Sequence, residues 1–578
     1  MGDRHYSTST AFLEALAEAG VRYMFANLGS DHPGLIEALA QVRAEGRRAD
    51  LPELIVCPHE MVALSAAHAY AAVTGEPQAV LVHVDAGTQN LGGAVHNAAR
   101  GRIPVLIFAG AAPFTMDGEL PGGRNEFIHW IQDVRDQRGI LRNYTKYDNE
   151  IRTGRNVKQL VFRALQIARS APAGPVYLVG PRETMEEQIE PYAPEPGLYT
   201  PVAPAALAPD VTADIATALA RARKPLVVTS YLGSDPAAVD ELVQLAEALA
   251  IPVIEASPNH VNFPDSHPMH HGYHWHTSTQ NPLLAQADVI LVADSDVPWI
   301  PAVNRPAADA VIYCIDSDPL KDQLPLWHVP ARRFAAAASR VALAQINAFI
   351  RDNGLVDDGV VAARRAENKA IHDRQRAEWA EQEQPPDDGA ITPQYLTACV
   401  REALAGEEAL VLVEAVTNSQ AISHHMRADR PGSLIGSGAS SLGWAGGGAV
   451  GAKLAAPDRT VVCLVGDGCY LFGVPSVAQW VSRRYQTPAL TVIYNNRGWR
   501  APKNSTLAVH PEGAAAAADD FNVSFEPAAD LPGIAAAAGG AFAANVTDPA
   551  ELPGVLKEAL AAVHSGRSAV VAAHLPGV

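Results

Sequence analysis

Short apolar runs such as VRYMFAN, QAVLVHV, PVLIFAG, KPLVVTSY, QADVILVAD, TVVCLVGDG and ALTVIYNN recur along the chain, most of them closed by turns rich in Gly, Asp, Asn or Ser. Between many of them lie segments with helical spacing, among them EMVALSAAHAYAAV and AAVDELVQLAEALA. A continuous apolar run followed by a helix long enough to cross back over it marks a parallel strand covered on both faces. That pattern points to an α/β fold built from parallel sheets. At finer grain, Ser9 or Thr10 is expected to cap the helix FLEALAEAG, and DAGTQN reads as a Gly-containing turn.

The alternation is interrupted twice. Residues 186–209 are rich in proline and poor in periodic apolar positions, which reads as an extended linker. Residues 351–390 hold a charged, helix-prone stretch from Val361 to Gln384 that ends in PPDDG, a second linker. Domains at 1–185, 210–350 and 391–578 remain, and 578 residues suit three units of ordinary size. The expected fold class is α/β, with three doubly wound parallel-sheet domains. The central one is Rossmann-like, but LGSDPAA follows its first strand where a dinucleotide fold has GxGxxG.

Composition narrows the function. Against 63 acidic residues stand 44 Lys and Arg, a formal charge of −19. Such a field repels nucleic acid and anionic lipid, so neither is an expected partner, and an anionic substrate needs local groups to hold it. No apolar run is long enough for a membrane span, and five scattered cysteines without a CxxC pair point to a reducing, cytoplasmic setting.

The most specific chemical signal lies in the third unit. The strand VVCLV ends in Gly466-Asp467-Gly468, and after 26 intervening residues the strand LTVIY ends in Asn495-Asn496. A crossover helix fits between them, so both motifs emerge at one carboxyl edge of a parallel sheet, where α/β folds bind ligands. A carboxylate and a carboxamide there suit Mg²⁺, which takes oxygen ligands and shares them with a bound phosphate.

In these motifs the sequence resembles the thiamine diphosphate-dependent decarboxylases and carboligases, which include acetohydroxyacid synthase, pyruvate decarboxylase and benzoylformate decarboxylase. The resemblance implies that Asp467, the Asn496 side chain and the Gly498 carbonyl hold the metal. It implies that Gly468, Cys469, Thr417 and Asn418 line the diphosphate, with Asn496 beside them. The first and third units become the pyrimidine- and diphosphate-binding domains. In GSGASSLGWAGGGAVGAKLA, Leu442 matches the bulky residue that bends the cofactor and Ser440 the carbonyl that accepts from its amino group; close helix packing by Gly and Ala is the alternative reading of that segment. Glu60, in Pro58-His59-Glu60, matches the glutamate set against the pyrimidine ring nitrogen, where proton exchange activates the cofactor. In this family the two halves of a site come from two subunits, which implies a homodimer or homotetramer.

Two branches compete. His83, ahead of DAGTQN, and Ser30, in Asn27-Leu28-Gly29-Ser30, resemble the substrate-facing histidine and serine of the benzoylformate branch, with His32 a further candidate. Trp130-Ile131-Gln132-Asp133 and Tyr144-Thr145-Lys146-Tyr147 resemble synthase segments instead. Synthases bind FAD in the central domain, and without a nucleotide turn FAD is doubtful here. HPMHHGYHWH, with His267, His270, His271, His274 and His276, reads as a loop near the mouth of the site, with metal binding as its alternative. The expected activity is thiamine diphosphate- and Mg²⁺-dependent decarboxylation of a small 2-oxo acid, followed by aldehyde release or by ligation to a second carbonyl, as in acetolactate synthase. A non-catalytic cofactor-binding regulatory protein is the alternative of another class; it could dispense with Glu60, which this chain keeps. A nucleotide-dependent dehydrogenase lacks its glycine fingerprint.

Overall fold

The computed structural model describes residues 6–275, 279–385 and 389–578. They form three six-stranded sheets in which all the paired strands run parallel. The first holds β1 (Tyr23–Ala26), β2 (Glu53–Val56), β3 (Gln78–Val82), β4 (Val105–Ala111), β5 (Tyr147–Glu150) and β6 (Val176–Pro181) in the order β2-β1-β3-β4-β6-β5. The central sheet holds β7 (Pro225–Thr229), β8 (Val253–Ala256), β9 (His270–His274), β10 (Val289–Ala293), β11 (Val311–Asp316) and β12 (Arg333–Ala336), in the order β12-β11-β10-β7-β8-β9. The third holds β13 (Ala409–Glu414), β14 (Leu434–Gly436), β15 (Thr460–Gly466), β16 (Leu490–Asn495), β17 (Phe542–Val546) and β18 (Ala569–His574), ordered β14-β13-β15-β16-β18-β17.

Central strands such as β3, β7, β10 and β16 are buried at every position, as sheets covered by helices on both faces require. The strand orders place topological switch points between β1 and β3, β7 and β10, and β13 and β15, and ligand crevices open at the carboxyl ends of strands there. The long charged segment forms one helix, Asp358–Glu381.

Three local expectations are corrected. Ser7, not Ser9 or Thr10, caps the helix Thr8–Glu18 by accepting from the Thr10 N–H, because the Ser9 hydroxyl is committed to the Met185 carbonyl at 2.9 Å. DAGTQN is not a turn but most of a helix, Val84–Gln89, entered directly from β3. The histidine-rich segment is not simply a loop: His270–His274 form the edge strand β9, paired with β8, while His276 lies outside the described residues.

The first and third domains dock through two helices, Glu60–Thr74 and Trp444–Ala455. A Cβ on Gly451 would lie 1.8 Å from the Ala66 carbonyl oxygen, and one on Gly447 2.7 Å from that of Val62. The glycines of WAGGGAVGAKLA therefore serve close helix packing, the alternative reading of that segment.

Candidate active site

In the first domain, the residues at the carboxyl ends of β1 and β3 converge. Glu60 opens its helix, is 4% exposed, and is held from two sides: Asn27 Nδ2 donates to Oε1 at 2.8 Å and Asn90 Nδ2 to Oε2 at 3.0 Å. Gly87 leaves the room beside it, since a Cβ there would lie 3.0 Å from Glu60 Oε1 and 3.3 Å from the His83 Cβ. Glu60 and His83 thus border the same small space.

His83 Nδ1 lies 2.5 Å from Asp31 Oδ1, and the Val84 N–H donates to Asp31 Oδ2 at 3.0 Å. This contact needs two glycines: a Cβ on Gly29 would fall 2.0 Å from His83 Nδ1, and one on Gly110 2.1 Å from Asp31 Oδ2. Burial alone would push the Asp31 carboxyl up, but His32 and His83 together hold it far below the usual carboxylate range. The hydrogen bond to Asp31 in turn raises His83 above the usual histidine range against the opposing pull of burial, with Gln132 adding to the rise. With Nδ1 turned to Asp31, Nε2 is the ring atom left for other partners. Ser30 is half-buried on the same turn, next to Asp31. His32 is 1% exposed, with Nδ1 3.1 Å from Asp31 Oδ1 and 3.0 Å from the Gly29 nitrogen, so it backs Asp31 from inside. Asp31, Asn27 and Asn90 escaped sequence reasoning.

The third domain builds a different edge. Asp467, 3% exposed, accepts the Gly468 N–H at 2.9 Å and the Gly498 N–H at 3.0 Å, which fixes its carboxylate between the ends of β15 and β16. The inner end of the Asn496 amide lies 2.9 Å from the Gly498 carbonyl oxygen and 3.1 and 3.3 Å from the Asp467 oxygens. Turned nitrogen inward, this amide donates to them; turned oxygen inward, it completes a set of oxygens that only a cation satisfies. The donor set therefore fits Mg²⁺. Gly468 is confined by the Trp499 ring, 2.2 Å from where its Cβ would be. Cys469 is buried, its thiol pushed well up by burial, so it acts here as a small apolar wall. Arg500 Nε lies 3.2 Å from the outer end of the Asn496 amide, a cation that sequence reasoning passed over. Asn418 is buried and Thr417 exposed, on the short turn after β13.

Ser440 and Leu442 line a cavity of about 230 Å³ together with Glu414, Val416 and Ser419. Glu414, at the end of β13, gathers the N–H groups of Gly443, Trp444 (3.1 Å) and Ala445 (2.7 Å) and so sets the course of the loop that carries Leu442. Burial pushes its carboxyl up to about 7 despite those donors. Neither Glu60, His83 nor Ser30 lines this cavity.

Elsewhere, His270 Nε2 lies 2.9 Å from Glu255 Oε1 and its Nδ1 faces Arg376, a buried network between β8, β9 and the long helix. Among the described residues no group of three or more His, Cys, Asp or Glu side chains is set to hold a metal ion. Lys146, in one of the synthase-like segments, donates to the carbonyls of Ile167 (2.7 Å) and Ser170 (2.6 Å), and burial lowers its pKa to about 8. At the carboxyl ends of β7 and β10, Arg102 reaches from the first domain to grip Asp296 at 2.7 and 3.3 Å. Its guanidinium sits 4.0 Å over the Tyr231 ring.

Comparison with known proteins matches this architecture. Residues 7–140, 212–323 and 415–573 match the N-terminal TPP binding domain, central domain and C-terminal TPP binding domain of thiamine pyrophosphate enzymes. The chain belongs to that family, as a thiamine diphosphate-dependent decarboxylase/carboligase. It is 26% identical over 500 residues to benzoylformate decarboxylase of Pseudomonas aeruginosa, covering 84% of this chain and 85% of that one. It is 24% identical over 512 residues to the acetolactate synthase large subunit of Parasynechococcus marenigrum, covering 85% and 76%. The structure superposes on the thiamine diphosphate-dependent 4-hydroxybenzoylformate decarboxylase of Rhodococcus jostii with a TM-score of 0.77 at 22% identity over 99% of both chains, a likeness of fold. Among the described residues no helix is long and apolar enough to cross a membrane.

Proposed function

We propose that this chain is a Mg²⁺-requiring enzyme that removes CO2 from a 2-oxo acid and releases the aldehyde, as the benzoylformate decarboxylases it resembles are named to do. The Asp31–His83 pair beside Glu60 carries this reading: a histidine held by a buried carboxylate can deliver a proton to the carbon that has lost CO2, the atom that aldehyde release protonates and that ligation instead joins to a second carbonyl. Asp467, Asn496 and the Gly498 carbonyl would hold the metal. Gly468, Cys469, Thr417 and Asn418 would line the diphosphate, and Leu442 and the Ser440 carbonyl would set the cofactor ring. When bound, thiamine diphosphate supplies a thiazolium that accepts the electron pair left behind by departing CO2.

The chain's own groups do the rest. Glu60 moves a proton to and from the pyrimidine ring nitrogen, and Asn27 and Asn90 keep its two oxygens in place. Ser30 orients the substrate carboxylate. His83 Nε2 returns a proton to the carbon that has lost CO2, while Asp31 stabilises the charged ring. Because neither Glu60 nor His83 lines the Leu442 cavity, a homodimer or homotetramer that joins such groups across subunits, as the family resemblance implies, belongs to the proposal, as does a cytoplasmic location that keeps the five buried cysteines reduced. The second reading, ligation to another carbonyl, draws support from a cavity of about 450 Å³ that abuts the Leu442 cavity and has room for a second substrate.

The test is to assay purified protein, loaded with thiamine diphosphate and Mg²⁺, on pyruvate, branched 2-oxo acids and benzoylformate with CO2 and product detection. His83→Ala should slow decarboxylation by about 10²-fold or more, the range for a positioned acid. Proton exchange at the cofactor C2 should stay near the wild-type rate. Undiminished decarboxylation in His83→Ala would make His83 structural and turn the assignment toward ligation.

A further inference from the structure

The larger cavity, of about 450 Å³, lies where all three domains meet and shares Asn259, Trp275, Ala439 and Ser440 with the Leu442 cavity. Its volume exceeds what pyruvate would fill and falls in the range of pockets for larger ligands. Trp275, Trp299 and Ile300 give it an apolar body. Arg100 lines both this cavity and a neighbouring one of about 390 Å³. The Arg100 guanidinium donates to the Gln323 carbonyl at 2.8 Å, and among the described residues no carboxylate pairs with it. Asp296 shares both cavity walls but is already taken by Arg102 and, at 3.0 Å, by Lys321. In a chain of net charge −19, an arginine left without a carboxylate on the wall of a cavity is a feature that wants an anion.

A second observation points the same way. The Trp275 indole N–H, on the wall shared by the two cavities, is buried without an acceptor among the described residues. A buried donor of this kind costs free energy unless something accepts from it. His96 stands between Arg100 and Ser440, with its Nε2 3.3 Å from the Ser440 hydroxyl, and burial and Arg100 hold its pKa below the usual range. It therefore adds a neutral hydrogen-bonding group and not a competing charge.

We propose that this cavity selects a carbonyl substrate bearing a second anionic group at its far end, with Arg100 pairing with that group and the tryptophans covering the apolar chain between it and the reacting carbonyl. The proposal rests on the decarboxylase/carboligase reading for the identity of the reacting end. The charged carbonyl compound is either the 2-oxo acid donor or an aldehyde acceptor, which the experiment separates.

The test compares matched pairs on the enzyme loaded with thiamine diphosphate and Mg²⁺. As donors, 2-oxoadipate is set against 2-oxohexanoate, and 4-carboxybenzoylformate against 4-methylbenzoylformate. As acceptors, succinic semialdehyde is set against butanal. In at least one arm the charged member should be favoured in kcat/KM by about 10- to 100-fold, the worth of a charge-assisted hydrogen bond to a carboxylate. Arg100→Gln should bring that ratio close to one, mainly through KM, Arg100→Lys should restore most of it, and cofactor affinity should not follow the ratio. A ratio near one in both arms of the wild type, or a preference that survives Arg100→Gln, overturns the proposal.

Adipate and its neutral diamide serve as non-reacting probes, read by quenching of tryptophan fluorescence. Adipate should bind the wild type more tightly than the diamide and lose that advantage in Arg100→Gln. This arm needs no turnover, so a protein inactive on every 2-oxo acid fails the functional reading while the anion site is judged separately. Equal binding of the two probes would dispose of the site itself.

Discussion

The first and third domains are one topology used twice: β2-β1-β3-β4-β6-β5 and β14-β13-β15-β16-β18-β17 have the same strand order relative to their sequence. Their crevices open at equivalent strand ends, yet they are furnished for opposite work. The first gathers the ionisable side chains to which the proposed function gives the proton transfers, Glu60 between two amides and His83 against Asp31. The third gathers, between β15 and β16, a carboxylate pinned by two backbone N–H groups, an amide and a carbonyl, a set that suits a cation and an anion together. The lesson is that the fold supplies only the edge at which a ligand can sit; the turn residues decide whether that edge holds or reacts.

Holding and reacting should therefore come apart under mutation. The largest effect is expected from Asp467→Ala, which removes the anionic member of the cation site and should weaken thiamine diphosphate binding by at least about a hundredfold, as truncating one member of a buried charge pair does. Calorimetric titration in the presence of Mg²⁺ checks this; affinity equal to wild type would dismiss Asp467 as the anchor. Glu60→Gln keeps the shape of its crevice and both amide neighbours but cannot exchange the proton. Cofactor C2 exchange, followed by NMR, should slow by about 10²- to 10⁴-fold while the cofactor still binds. Exchange at the wild-type rate in Glu60→Gln would break the division of labour between the two domains. Smaller again is Gly451→Ala on the helix that docks the two domains: the added methyl meets the Ala66 carbonyl and should cost about 1–3 kcal/mol, seen as a lower Tm. An unchanged Tm would show that the docking helices part easily.

The two domains also differed in how far they could be read from sequence. Every strand with a continuous apolar run was legible, because burial on both faces leaves no alternative to hydrophobic side chains. The five strands that escaped, β5, β9, β12, β14 and β17, all lie at sheet edges. YDNE, HHGYH and RFAA carry polar groups that an edge strand can expose, and LIG is too short to signal anything. In the site, Asp467 and Asn496 could be placed at neighbouring strand ends from the spacing of their motifs, whereas Glu60 was singled out only by the resemblance of Pro58-His59-Glu60 to the family. Asp31 was not legible. Nothing local distinguishes it from a turn aspartate; its role comes from β3 and β4 bringing His83 and Gly110 against it across long stretches of chain. The shared strand order of the first and third domains was hidden for a related reason: it resides in the order of pairing, which no run of residues records.

The finest test of the comparison concerns Asp31. In the wild type its carboxylate raises His83, so the charged imidazole persists to higher pH than a half-buried ring would otherwise allow. If His83 works as an acid, turnover falls as pH rises through that raised pKa. Asp31→Asn keeps the size of the side chain and removes its charge; burial then prevails, His83 titrates lower, and the alkaline limb of the kcat profile moves toward acid. Stability should respond in the same sense. Asp31, depressed in the folded state, contributes stability above the ordinary carboxylate pKa that is lost as pH falls through its folded value, and His83, raised, contributes stability below the ordinary histidine pKa that is lost as pH rises through its folded value. Between those limits the variant should be less stable than the wild type, and toward either extreme the two should converge. Imidazole titration by NMR alongside Tm against pH measures both, and a limb that stays in place in Asp31→Asn would show that the first domain's proton chemistry does not pass through His83.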